Sequence, residues 1–156
     1  MKYNAYIGRW QSPHKGHKWL IDQSLAQGKP VLILIRDVPT DENNPFTAIE
    51  VMQMLSNCFE DNILRGLVKL QIIPDIASVN YGRGVGYDVV CHEAAAPPEI
   101  KRISATEIRR QIRASEDGWK SMVMDGAKWY LERKFDLKKA FCVCSSCECR
   151  CGAGRK

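Results

Sequence analysis

Tyr3-Asn4-Ala5-Tyr6-Ile7-Gly8-Arg9-Trp10-Gln11-Ser12-Pro13-His14-Lys15-Gly16-His17 opens the chain as a short strand-like run, a polar loop and the first residues of a helix-like run. Tyr3 to Gly8 reads as a strand that Gly8 ends. Lys15 to Gln27 reads as a helix, with Trp19, Leu20 and Leu25 apolar and Gly28 as its stop. Pro30-Val31-Leu32-Ile33-Leu34-Ile35 follows, apolar without alternation. That is the pattern of a strand covered on both faces, as in a parallel sheet.

Further along, Arg36 to Phe46 is a polar loop, and Thr47-Ala48-Ile49-Glu50 matches a capping box in which Thr47 caps and Glu50 reaches back. The helix it opens continues through Val51, Met54, Leu55 and Phe59. Leu67 to Ile73 reads as a third strand, closed by Pro74-Asp75, and Tyr87 to Cys91 as a short fourth. Ser104 or Thr106 opens another helix, and an amphipathic helix is predicted from Trp119 to Lys134. This order predicts an α/β fold: one open parallel sheet with helices on both faces. Residues 1–137 form the predicted domain. Residues 138–156 form a Cys-rich basic tail, expected to be disordered.

Composition sets outer limits. A chain of 156 residues is long enough for one proper core and too short for two ordinary domains. Its 45% hydrophobic and 26% charged residues are ordinary for a globular protein. No apolar run approaches the ~18 residues of a membrane span, and Gly8-Arg9 ends the first apolar stretch too early for a signal peptide. A cytoplasmic location is the expectation. The formal charge of +5 suits nucleic acid, phosphorylated metabolites or no particular partner, and so decides nothing.

The loop Gly8 to His17 carries the chemistry. It joins the carboxyl end of a strand to a helix start, where open parallel sheets bind ligands and where free N–H groups suit phosphate. His14 and His17 can face the same way, each offering an N–H to a triphosphate oxygen. Gly16 would let the backbone approach closely. From the residues alone, the two imidazoles are equally a pair of surface histidines, and no third ligand at a convincing spacing makes them a metal site. A second anion-binding helix start is Ile103-Ser104-Ala105-Thr106-Glu107-Ile108-Arg109-Arg110, in which Arg109 can bracket phosphate oxygens. Taken alone, it is favoured as an ordinary cap followed by surface charges.

Together, the two stretches resemble the HxGH nucleotidyltransferase superfamily. Within it they are most similar to archaeal-type nicotinamide mononucleotide adenylyltransferases and the related small adenylyl- and cytidylyltransferases of bacteria and phages. Asn44-Pro45-Phe46-Thr47 with Glu50, and Ile73-Pro74-Asp75-Ile76, also look like segments of that family. The resemblance covers roughly residues 3 to 134. It implies a Rossmann-like fold, Mg2+ and a nucleoside triphosphate. It implies that His14 and His17 contact the triphosphate, with Arg9 beside it, and that Ser104, Thr106 and Arg109 hold the β- and γ-phosphates. The chain departs from the family in two places. Val51 stands where an arginine often follows the glutamate. Ile76 also reaches Gly86-Tyr87 without the extra strand and helix of close relatives, a region that helps define their acceptor and base pockets.

Weaker signals complete the reading. Gly82-Arg83-Gly84-Val85-Gly86 lacks the spacing of a dinucleotide fingerprint; Arg83 could point at an acceptor phosphate or sit on a plain turn. Arg36 could touch phosphate or pair with Asp37 or another acid. Trp10 could cover a base or pack beneath the loop, and packing is favoured. Cys58 and Cys91 read as core filler. Cys142, Cys144, Cys147, Cys149 and Cys151 could bind a soft metal, although a tail without metal is favoured.

The expected activity is transfer of a nucleoside monophosphate from a triphosphate to a phosphorylated small molecule, releasing pyrophosphate. ATP is favoured over CTP. The alternatives are a cytidylyltransferase and a non-catalytic nucleotide-binding module. A metal- or nucleic-acid-binding protein led by the tail is a weaker third, because the basic residues form no stripe. No nucleic acid or membrane partner is expected, and a homo-oligomer is possible.

Overall fold

The computed structural model describes residues 1–84 and 86–145, and the side chains of 1–84 and 86–135. Three strands form one parallel sheet in the order β1 (Asn4–Gly8), β2 (Val31–Asp37), β3 (Val68–Pro74). Helix α1 (Lys15–Leu25) joins the first two strands. The second connection holds α2 (Ala48–Cys58) and the short α3 (Glu60–Leu64). After β3 come α4 (Pro98–Lys101), α5 (Ala105–Arg113), a 3-10 turn at Gly118–Ser121 and α6 (Asp125–Ser145). The architecture is the expected α/β class with an open parallel sheet.

The apolar run read as β2 is the middle strand, which is why it needs no alternation. Val31, Ile33 and Ile35 are fully buried, while Leu32 and Leu34 on the opposite face are half-buried. The register aligns Ile33 with Tyr6 and Leu70, so one face of all three strands meets the core. On that face Tyr6 Oη and Asn4 Nδ2 both reach Ser24 Oγ of α1, at 2.6 and 2.8 Å.

The capping box of α2 forms as expected: Thr47 N donates to Glu50 Oε2 at 2.8 Å and Glu50 N to Thr47 Oγ1 at 3.2 Å. Val51 is completely buried on this helix. A charged side chain at that position would have to leave water, so an apolar residue suits it. Glu50 instead takes Lys134 of α6 as its cation, at 2.9 Å. Helix α6 lies against α2, with Ala127 and Leu131 fully buried.

Two expectations are corrected. Tyr87 to Cys91 forms no strand: Tyr87, Val89 and Val90 are 58%, 75% and 65% exposed. A strand exists through its ladder, and alternation shows which residues would fit a sheet, not that a neighbour is present. The last helix, expected to end at Lys134, runs on to Ser145. The cysteine cluster at 142, 144, 147, 149 and 151 lies on side chains outside those described. Among the described residues, no helix is long and apolar enough to cross a membrane.

Candidate active site

Residues 8–14 leave the carboxyl end of β1 as a strained, tightly held loop. Trp10 (φ 52) and Ser12 (φ 65) both occupy the left-handed region, at a cost of roughly 1–2 kcal/mol for each non-glycine residue. The restraints are specific. Trp10 Nε1 donates to Leu34 O of β2 at 3.0 Å. Gln11 exchanges two hydrogen bonds with the Phe46 backbone. Lys15 N donates to Met122 O at 2.8 Å and Met124 N to Pro13 O at 3.3 Å.

Ser12 is fully buried, and its hydroxyl has no hydrogen-bond partner among the described residues. Ser12→Gly removes both the orphan hydroxyl and the left-handed strain. Against this stands the roughly 0.5–1 kcal/mol by which glycine favours the unfolded chain. Stability is expected to rise by about 1 kcal/mol, seen as a higher urea midpoint at unchanged m. A lower midpoint would show that the hydroxyl is held in place by something useful.

The two histidines cap α1 reciprocally. His17 N donates to His14 Nδ1 at 3.3 Å, and His14 N donates to His17 Nδ1 at 3.4 Å. The rings stack with centroids 3.7 Å apart. Because both Nδ1 atoms accept, each neutral ring carries its proton on Nε2. Burial pushes the His14 pKa down to about 4. Burial, and then His14 itself, hold His17 well below the usual imidazole range. Both are therefore neutral donors near pH 7.

This has a consequence for acid stability. Between pH 6.5 and about 4, the unfolded chain takes up a proton that folded His14 refuses. Stability is expected to be flat above pH 6.5 and to fall as pH drops through that window. The window lies above that of Glu107, whose carboxyl is held down to about 2 by hydrogen bonds from Arg110. Urea midpoints against pH would show the fall, and His14→Gln should lessen it, the remainder coming from His17, which burial also holds neutral.

A cleft of about 240 Å³ opens beside this loop, lined by Arg9, Trp10, Gln11, His17, Asn43, Ala105, Thr106 and Arg109. It lies where the starts of α1 and α5 come together, so two sets of free helix N–H groups share one region. Sites that enclose a whole small molecule usually measure roughly 300–1,000 Å³; this cleft is smaller.

Arg109 is 7% exposed, and its only described hydrogen bond is a long one to Thr106 Oγ1, 3.4 Å. Burial, then the like charges of Arg113 and Arg9, lower its proton affinity, and Asp41 offsets this in part. An arginine keeps its charge even so. The cleft thus gathers cations and neutral donors, with no carboxylate on its lining. That donor set fits magnesium carried on phosphate oxygens with its own waters, and does not fit an ion caged by side chains.

Other expected residues occupy different places. His14 lies behind His17 and is 7% exposed. The space left by Gly16 faces the His14 ring, which a Cβ there would meet at 2.9 Å; at Gly8 a Cβ would meet the Trp10 indole at 3.0 Å. Trp10 is 4% exposed, edge-on to His17 with centroids 4.9 Å apart, and so packs beneath the loop while touching the cleft. Ser104 caps α5 by accepting from Glu107 N at 3.1 Å. Arg36 pairs with Asp75 and also donates to Ile76 O, and it does not line the cleft. Arg83 is exposed and does not line it.

Gln11, Asn43 and Ala105 were missed. Gln11 and Ala105 stand inside the two motifs, so position was the available signal. Asn43 enters through a turn built on Asp41, whose carboxylate accepts from the backbone N–H of Asn43 and of Asn44 at 2.7 Å each.

Comparison with known proteins bears on this geometry. A nicotinamide-nucleotide adenylyltransferase of Aeropyrum pernix is 28% identical over 158 residues, covering 85% of this chain and 91% of the relative. One from Pyrococcus furiosus is 26% identical over 164 residues, covering 85% of this chain and 84% of the relative. The chain is related to the nucleotidyltransferases. No family model matches it. The cleft lies at the carboxyl edge of the sheet, against two helix starts, where open parallel sheets place their ligands.

Proposed function

We propose that the chain is an adenylyltransferase, passing AMP from ATP to a phosphorylated, nucleotide-type acceptor with release of pyrophosphate. The observation that supports this most is the meeting of His17, Arg9 and Arg109 in one carboxylate-free cleft. The relatives' names favour ATP over CTP.

In this reading a phosphate oxygen of the acceptor attacks the α-phosphorus in line. The bond from that phosphorus to the bridging oxygen breaks, and its electrons leave with pyrophosphate. No covalent bond to the protein forms. Charge grows on the bridging oxygen and the departing group, so donors fixed there stabilise the transition state more than the ground state. His17 Nε2–H supplies a neutral donor, and Arg9 and Arg109 supply cationic ones. Thr106 and the first N–H groups of α5 would hold the phosphate tail. Magnesium bound to the phosphates would neutralise part of the charge.

The test is to incubate the protein with magnesium, ATP or CTP, and a panel of phosphorylated acceptors that includes nicotinamide mononucleotide, and to measure pyrophosphate. Release with ATP and one acceptor is expected. The alternative of a non-catalytic nucleotide-binding module draws on the three-stranded sheet, with no described strand beside the second edge of β1. ATP binding with no pyrophosphate from any acceptor would favour it.

A further inference from the structure

Gln11 sits between the two left-handed residues of the loop and is 6% exposed. Its Nε2 donates to Phe46 O at 2.7 Å, and its Oε1 accepts from Phe46 N at 3.1 Å. One side chain therefore makes with one residue the paired bonds of a strand neighbour. Phe46 is 1% exposed and immediately precedes the Thr47 cap of α2, so the tie ends on a fixed point.

The tie joins two walls of the cleft. One is the loop that carries Arg9 and Trp10 and leads into the start of α1 with His17. The other is the segment 41–46, which carries Asn43 and whose Asn44 Oδ1 accepts from Arg9 Nη1 at 3.2 Å. Arg113 Nη2 holds the same segment to α5 through Glu42 O at 3.0 Å. Without Gln11, the first wall keeps its bonds to β2 and to residues 122–124, but among the described hydrogen bonds only Arg9 to Asn44 still links it to the second wall.

We infer that Gln11 is a positioning residue, whose carboxamide fixes the Arg9–His17 wall against the Asn43 wall and so sets where the donors stand around the transferring phosphate. This rests on the functional reading above. Its effect falls on the transition state, because donors displaced by a fraction of an ångström still attract a triphosphate but no longer match the departing charge.

The experiment uses the full chain. Gln11→Met keeps the volume and loses both hydrogen bonds. It is expected to lower kcat per folded molecule at least about tenfold, with KM for ATP changed by less than about threefold; misplacement by 1 Å can cost roughly a hundredfold. Circular dichroism gives the folded fraction. Gln11→Glu keeps the acceptor for Phe46 N and regains a donor for Phe46 O only when protonated. Its activity relative to the unaltered protein is expected to climb as pH falls, because burial and the facing Phe46 carbonyl raise a carboxyl pKa against the opposing pull of Arg9 and Arg109. A purely structural staple would alter the folded fraction alone. Unaltered kcat in Gln11→Met, or a flat ratio for Gln11→Glu, would overturn the inference. An unaltered protein that releases no pyrophosphate from any acceptor would instead overturn the functional reading.

Discussion

Replacing His17 by alanine is expected to reduce pyrophosphate release at least about a hundredfold, the usual loss when one fixed donor to a developing oxyanion is removed. His17 is the imidazole that lines the cleft, and its Nδ1 is engaged by the His14 backbone. Nε2–H is therefore its available donor, held by the stack on His14 and the edge contact with Trp10. The ring is neutral in the working range, because burial holds its pKa well below 6.5. In the proposed reaction it would aid a growing negative charge without first attracting a proton. The loss should fall mainly on kcat, since the donor contributes most where charge develops. Steady-state assays at saturating ATP would measure it. A fall of less than about tenfold would assign the transition-state charge to Arg9 and Arg109 alone.

Gly126→Val is expected to destabilise the fold by about 3 kcal/mol, the upper end of what overpacking usually costs. A Cβ at Gly126 would stand 2.6 Å from Cys58 N and 2.7 Å from Asn57 C. Those are backbone atoms at the end of α2, so no rotamer change relieves the clash. The start of α6 would have to lift from α2, loosening the packing around the fully buried Ala127 and Leu131. For a chain of this size such a loss corresponds to a fall in Tm of roughly 10 °C. Gly82→Ala is the control: nothing lies within 4 Å of its Cβ position, and its φ lies outside the left-handed region. It should stay within about 0.5 kcal/mol. Thermal denaturation of both variants distinguishes close packing from a general cost of losing glycine.

Local signals carried far where the physics is local. The Gly28 stop and the Thr47–Glu50 box each encode a backbone hydrogen-bonding need met within a few residues, and the unalternating run from Val31 encodes a strand covered, fully or in part, on both faces. The reading failed at Tyr87 to Cys91, whose strand pattern has no ladder. Spacing alone does not distinguish His14 from His17, whereas in the fold His14 is buried behind His17, which lines the cleft. Arg36 was left between phosphate and acid, and the choice fell to Asp75, 39 residues away.

The amino-acid order by itself determined the α/β class, the parallel central strand, and the two helix starts with the chemistry to hold an anion. Those follow from periodicity, capping residues and side-chain type. Only the tertiary structure decided that Arg9, His17 and Arg109 share one cleft, that Gly8 and Gly16 leave room for an indole and an imidazole, and that Gln11 ties two walls together. Each of these depends on segments far apart in the chain meeting at distances of a few ångströms, and that is set by how the helices pack on the sheet.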